Sequence, residues 1–233
     1  MRQSVRFSTA PYQARWLDTV LAPVAYVSNL MMAVWLYPVW GTTRIRWGSD
    51  RAELIRLFKE RTRPIICLAW HANELLTLCS FRRFPRDIMP LGIAHDGFSS
   101  RAVQQTVARY GCPVWVYRRR SPIPAKTQII DLLKTERPVV GLFPDAGGPD
   151  GQIRPGMLEA ARAAGALLVP MAWHARPMLV IGWRRHFYLP LPYSRITIYY
   201  GQPLDGSNAT ADDCRQALVN LEQRVRTAAS LAD

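Results

Sequence analysis

Lysine is almost missing from this chain. Of its 30 basic residues only Lys59, Lys126 and Lys134 are lysines, and the other 27 are arginines. Acidic residues are scarce as well, 17 in all, which leaves a formal net charge of +13 and a pI of about 10.3. A surface of this sign meets anions: phospholipid head groups, an acidic carrier protein or nucleic acid. Nucleic acid is the weakest of the three, because there is no recognition motif and no long basic tail. Cysteine is sparse too. Cys67, Cys79, Cys112 and Cys214 show no metal-finger spacing, and no HxxxH or paired-histidine motif stands beside them. Most of them sit in apolar contexts and read as buried thiols, so a core facing a reducing compartment, the cytoplasm, is expected. Internal repeats and low-complexity segments are absent, which excludes a solenoid or a disordered organisation.

Charge is absent from one long stretch. Val20 to Trp40 is a run of 21 residues without a charge, close to the length that crosses a bilayer. Arg15 and Asp18 precede it, and Arg44 and Arg46 follow, so flanking charge sets no orientation. Pro23, Asn29 and Pro38 weaken a straight span, while Trp16, Tyr26, Trp35, Tyr37 and Trp40 suit head-group depth. A signal peptide fits poorly, since the run is long and no small-residue cleavage site follows. Three readings stand: a helix in one leaflet, a full span, and a buried helix of a soluble domain. The first is favoured, and the first two both place the protein at a membrane. Residues 1–42 are therefore expected to form an apolar membrane-associating segment, and residues 43–233 the main domain.

Hydrophobic residues make up 49% of 233, enough for one large α/β domain with a full core. From Ser49 onward helical and strand patterns alternate. Ser49 and Asp50 offer caps for a helix carrying Leu54, Leu57 and Phe58 on one face. Strands are expected over Pro64–Ala69, Ile88–Ala94, Pro113–Tyr117, Val139–Phe143, Leu167–Trp173 and Arg195–Tyr200. Helices are expected over Asn73–Arg83, Ser99–Tyr110, Ala125–Thr135, Gly156–Ala164 and Asp212–Ala228. Strands that are apolar throughout and separated by helices indicate an α/β fold: a single domain with a mostly parallel central sheet flanked by helices on both faces.

In such sheets ligands bind beyond the carboxyl ends of the strands. His71 follows the first of these strands, His95 and Asp96 the second, and Arg118, Arg119 and Arg120 the third. Asp145 and His174 follow the next two. One strand-end histidine is ordinarily structural, but several polar residues on one edge point to an active site.

The segments AWHANELL, HDGFSSR, LFPDAGGPDGQIRPGMLEAARAAGALLVPMAW and LPLPYSRITIYYGQPL carry a resemblance. Together, in order and spacing from about Thr43 to Leu204, they resemble the lysophospholipid acyltransferase superfamily. They are most similar to its bacterial branch, the domain of unknown function 374 proteins. The resemblance implies an H-x4-D histidine, here His71, that takes a proton from an acceptor hydroxyl so that its oxygen attacks an acyl thioester. The sequence departs from that pattern, since Leu76 stands where the aspartate would be. Glu74, three residues after His71, can lie beside it on a helix, or can be a plain surface glutamate. Asp96 is a second candidate partner, if the two strand ends are adjacent. The superfamily's third block, implied to hold the acceptor's phosphate or polar head, appears as Asp145, Ala146, Gly147 and Gly148. Its arginine is missing, and Arg118 or Arg154 is the expected substitute. Pro170 matches a fourth, structural block.

The resemblance implies a membrane-associated transferase that moves a fatty acyl chain from acyl-carrier protein or coenzyme A to a lipid hydroxyl. It would use no cofactor beyond that thioester and would work on the cytoplasmic side of the inner membrane. Membrane lipids and the thioester carrier are the expected partners, with no nucleic acid. Two other readings stay open. One is a metal-dependent hydrolase built on His71, His95, Asp96, Asp145 and His174. The other is a non-catalytic lipid-binding protein on the same scaffold.

Overall fold

The computed structural model describes residues 5–10, 22–81, 84–97, 100, 104–105, 107–108, 111–145, 151–182 and 186–230. Residues 11–21 of the expected membrane segment, most of the expected Ser99–Tyr110 helix, and Gly147 and Gly148 lie outside this set.

The chain forms a single α/β domain around one mostly parallel sheet. Its strands are β1 (Val5–Phe7), β2 (Arg44–Trp47), β3 (Ile65–Leu68), β4 (Leu91–His95), β5 (Val114–Tyr117), β6 (Val139–Leu142), β7 (Leu167–Ile181), β8 (Phe187–Tyr200) and β9 (Leu204–Asp205). The described helices are α1 (Ala22–Thr42), α2 (Arg51–Glu60), α3 (Glu74–Phe81), α4 (Ala125–Glu136), α5 (Pro155–Ala164) and α6 (Ala211–Ser230). The order across the sheet is β1-β5-β4-β6-β3-β7-β8-β2, with β9 pairing β7. All pairings are parallel except β7 with β8 and β7 with β9.

The sequence IICL explains why β3 is central. All four residues are buried, as a strand covered on both faces requires. Its period-two alternation divides the core. Ile65 and Cys67 face a layer that holds Leu36, Val39, Leu54 and Phe58. Ile66 and Leu68 face the other layer, with Leu132, Leu133, Leu158 and Leu218. Helices α1 and α2 thus cover one face, and α4, α5 and α6 the other. Asp50 caps α2, its Oδ1 accepting from the Ala52 amide at 2.8 Å and the Glu53 amide at 3.4 Å. Asp50→Ala is expected to lower unfolding stability by about 1 kcal/mol in urea titration, with no change in the denaturant slope.

Three features differ from the sequence reading. First, β7 and β8 form one long hairpin of 15 and 14 residues, where only Leu167–Trp173 and Arg195–Tyr200 were expected. Pro177, Pro190 and Pro192 break the alternation that marks a strand, and a register shift between Arg176 and Met178 bends the hairpin. Second, the short strands β1 and β2 add to the sheet's two edges.

The third concerns α1. No helix among the described residues is long and apolar enough to cross a membrane. Part of α1 packs on the domain. Leu36, Val39 and Trp40 are buried in the same cluster as Phe58 and Ile196. Its other side exposes Val24, Tyr26, Val27, Leu30, Met31, Val34, Trp35 and Tyr37 to solvent.

Candidate active site

Beyond β3 the chain runs through Ala69 and Trp70 into a 3-10 turn, His71–Asn73, that leads directly into α3. The first amides of a helix have no partners within it. Here the His71 amide donates to Asp145 Oδ1 at 2.9 Å, so a carboxylate at the end of β6 fixes the start of the turn. The Asp145 side is held by its own amide and that of Gly151, which has φ +76°. Burial raises the Asp145 carboxyl above its ordinary value, and these N–H bonds draw it back. Asp145→Ala is expected to cost about 1 kcal/mol of stability, read by denaturant unfolding, because it leaves the partly buried His71 amide without its acceptor.

The turn brings His71 and Glu74 together. His71 Nε2 lies 3.4 Å from Glu74 Oε2, a spacing of three residues on a helical turn. The two side chains are 23% and 19% exposed, so the ring is reachable and yet largely out of water. Phe143 and Phe187 meet the imidazole at 5.5 Å and 5.0 Å between ring centroids, with interplanar angles of 80° and 68°. They fix its plane. Burial pushes the Glu74 carboxyl above the usual carboxylate range, and His71 opposes that shift. With Nε2 facing the carboxylate, the tautomer that donates from Nε2 leaves a lone pair on Nδ1.

Two clefts lie nearby. Glu74 lines an apolar cavity, with Leu78, Ala94, Val107, Phe143 and Trp173 among others. A second groove takes in the neighbours of His71, lined by Trp70, Ala72, Asp145, Tyr188, Arg215 and Glu222 among others. The cysteines are not set up as nucleophiles. All four are free and buried, and burial pushes the Cys112 and Cys214 thiols up to about 11.

The other residues singled out in the sequence fall elsewhere. Asp96 is at the end of β4, and β6 runs between β4 and β3, so Asp96 stands two strand spacings from the His71 strand, roughly 10 Å. Its Oδ1 accepts from the Arg119 amide at 2.9 Å, which is turn chemistry. His95 accepts from the Gly97 amide through Nδ1 at 2.9 Å. Burial, then the Arg119 charge, lowers its pKa. Arg118 lies one strand further out, its guanidinium 4.5 Å from the Phe7 ring centroid. Arg154 is exposed at the start of α5. Neither Arg118 nor Arg154 lines the groove; among the described residues Arg215 does. No group of three or more His, Cys, Asp or Glu among the described residues could hold a metal ion, so the hydrolase constellation is not assembled there.

No family model matches the sequence, and no curated protein matches it. A solved structure is similar to it: the crystal structure of the 1-acyl-sn-glycerophosphate (LPA) acyltransferase PlsC from Thermotoga maritima. The identity is 16% and the TM-score 0.48, over 92% of this chain and 83% of that one.

Phe187, Arg215 and Glu222 were missed by sequence reasoning. Phe187 reaches His71 only because the bent hairpin returns over the turn. Arg215 and Glu222 share the groove because they sit seven residues apart, two turns, on one face of α6. That spacing is the only signal in the sequence that joins them.

Proposed function

We propose that this chain is a membrane-associated acyltransferase that moves a fatty acyl chain from an acyl thioester to a hydroxyl of a lipid. The observation that carries this reading is that Glu74, beside His71, lines an apolar cavity, while Asp145, which holds the His71 amide, lines a groove that also carries Arg215 and Glu222. An alkyl chain belongs in the first and a charged head in the second. The reacting carbonyl and hydroxyl then meet at the imidazole.

In the proposed reaction His71 Nδ1 takes the proton from the acceptor hydroxyl as its oxygen attacks the thioester carbonyl carbon. The C–O bond forms, the C–S bond breaks, and the thiolate leaves with the proton returned by the imidazolium. Glu74 holds Nε2 and stabilises the imidazolium while it exists. The donor is the thioester of acyl-carrier protein or coenzyme A, and no step passes through a metal or further cofactor. Placement at the cytoplasmic side of the inner membrane belongs to the same proposal. The exposed apolar and aromatic side of α1 supports a helix lying in one leaflet.

Two experiments test the reading. A strain lacking the gene is expected to show one lipid class short by one acyl chain in lipid mass spectrometry. Wild type restores that chain and the His71→Ala variant does not; an unchanged lipid profile would refute the proposal. Ala94→Phe, which places a ring in the apolar cavity, is expected to reduce kcat/KM for long acyl donors by at least about tenfold and spare short ones, since a few lost methylenes of contact are worth that much. A donor profile unmoved by the ring would place the chain elsewhere.

A further inference from the structure

The groove that takes in the neighbours of His71 carries charge of both signs, and the signs are sorted. Asp145 and Glu222 line it, and both reach the turn His71–Asn73. Asp145 Oδ1 accepts from the His71 amide at 2.9 Å, and Glu222 Oε1 accepts from Asn73 Nδ2 at 3.5 Å. Arg215, a third lining residue, sits two helical turns from Glu222 on α6. The negative corner is a local reversal in a chain whose net charge is +13.

This corner has more acceptors than donors. The Glu222 side chain is 19% exposed, and its ion pair with Arg226 is long, 3.9 Å. The Arg226 guanidinium is itself mostly in solvent and also donates to the Tyr188 hydroxyl at 3.2 Å. Such a pair neutralises little. Burial raises the Glu222 carboxyl above its ordinary value, Arg226 and Asn73 draw it back, and the Asp145 charge raises it again. Two carboxylates that feel each other are relieved by a cation between them. Asn73 adds an independent shortage. Its side chain is wholly buried, its Nδ2 is given to Glu222, and its Oδ1 has no donor. A buried acceptor without a donor costs free energy that a ligand N–H recovers.

The chemistry that suits this corner donates hydrogen bonds and carries positive charge. No group of three or more His, Cys, Asp or Glu among the described residues could hold a metal ion, so its donor set suits an organic cation better. A primary ammonium places three donors on one small cation. Trp70 and Tyr188, in the same lining, add the aromatic surroundings such a cation favours. Away from the turn, Arg215 pairs with Asp212 one helical turn back, and both side chains are exposed. An exposed pair of this kind is weak, so the guanidinium can exchange that carboxylate for a phosphate.

We infer that the groove selects a lysolipid acceptor with an amine in its head group, the ammonium held at Glu222 and Asp145 and the phosphate at Arg215. The inference rests on the acyltransferase reading above and names the head group which that reading leaves open. It runs against the overall charge of the chain, which by itself favours the more anionic acceptor.

Competition between lysophosphatidylethanolamine and lysophosphatidylglycerol tests it. The two share glycerol and phosphate and differ in whether the head ends in an ammonium or in hydroxyls. Full-length protein receives equal amounts of both with one acyl-coenzyme A donor, and the two diacyl products are measured by mass spectrometry. Wild type is expected to favour the ethanolamine lipid by at least about tenfold, the effect of one hydrogen bond between charged groups. Glu222→Gln keeps the shape and removes the charge, and is expected to bring the product ratio to within about threefold of one. Arg215→Gln is expected to lower both products by at least about tenfold and to keep the wild-type ratio, because the phosphate is common to both. A product ratio from one mixture does not depend on how much of a variant is folded, so instability cannot mimic the result. A wild-type ratio near one, or one that favours the glycerol head, would overturn the ammonium site. So would a ratio that survives Glu222→Gln. Undiminished products from Arg215→Gln would take the phosphate away from that arginine. If neither lipid is acylated while lysophosphatidate is, the inference fails and the acyltransferase stands. If none of the three is acylated, the proposed function falls with it.

Discussion

Replacing His71 with alanine is expected to reduce kcat for acyl-thioester turnover by roughly 10²–10⁴-fold, the range lost when a general base is removed. KM is expected to change little. The ring sits between Phe143 and Phe187 and is still partly exposed, so no alkyl chain or head group depends on it for binding. The variant should also fold. The Asp145 clamp takes the backbone amide of residue 71, which alanine retains. Steady-state kinetics with a thiol-detecting reagent, together with a melting curve, read both expectations. A variant of wild-type kcat would remove the imidazole from the reaction. The contrast with Asp145→Ala is informative: that change loses the clamp, so stability falls with activity.

The second large effect is expected at Glu74. Glu74→Gln keeps the shape and removes the charge that steadies the imidazolium, and a loss on the order of 10²-fold in kcat is expected. The pH profile carries the sign. Burial raises the Glu74 carboxyl above the usual carboxylate range, and the partner ring opposes that shift. The wild-type rate draws on the ionised carboxylate, so activity is expected to fall as pH drops through the raised range of that carboxyl and to level off above it. Glu74→Gln has no carboxyl to ionise, so that part of the pH dependence is expected to disappear. A pH profile that is unchanged in Glu74→Gln would show that the Glu74 charge does not act on the reacting base.

Part of this site is legible in the sequence for simple reasons. IICL is a short apolar run between Pro64 and a polar turn, so it reads as a buried strand and makes His71 a strand-end residue. Glu74 follows at helical spacing, and the structure places it beside the ring. Lateral order is another matter. Strand ends can be listed from a sequence, but which strands are neighbours depends on packing of side chains far apart in the chain. The insertion of β6 between β3 and β4 separates Asp96 from His71 and brings Asp145 to it instead. The hairpin was hidden by its prolines. Alternation read from single residues failed across Pro177, Pro190 and Pro192, and with it went Phe187. The apolar run at Val20–Trp40 does not by itself say which of its residues pack inward; Leu36, Val39 and Trp40 cover the domain core.

The stoichiometry of the reaction tests the central claim most directly. Purified full-length protein would be given an acyl-coenzyme A or acyl-carrier protein donor and detergent-dispersed lysolipids, with thiol release and lipid products measured in the same samples. The account predicts one acylated lipid for each thiol freed by wild type, and neither product from His71→Ala. Thiol release matched by free fatty acid, or equal lipid acylation by the variant, would contradict it.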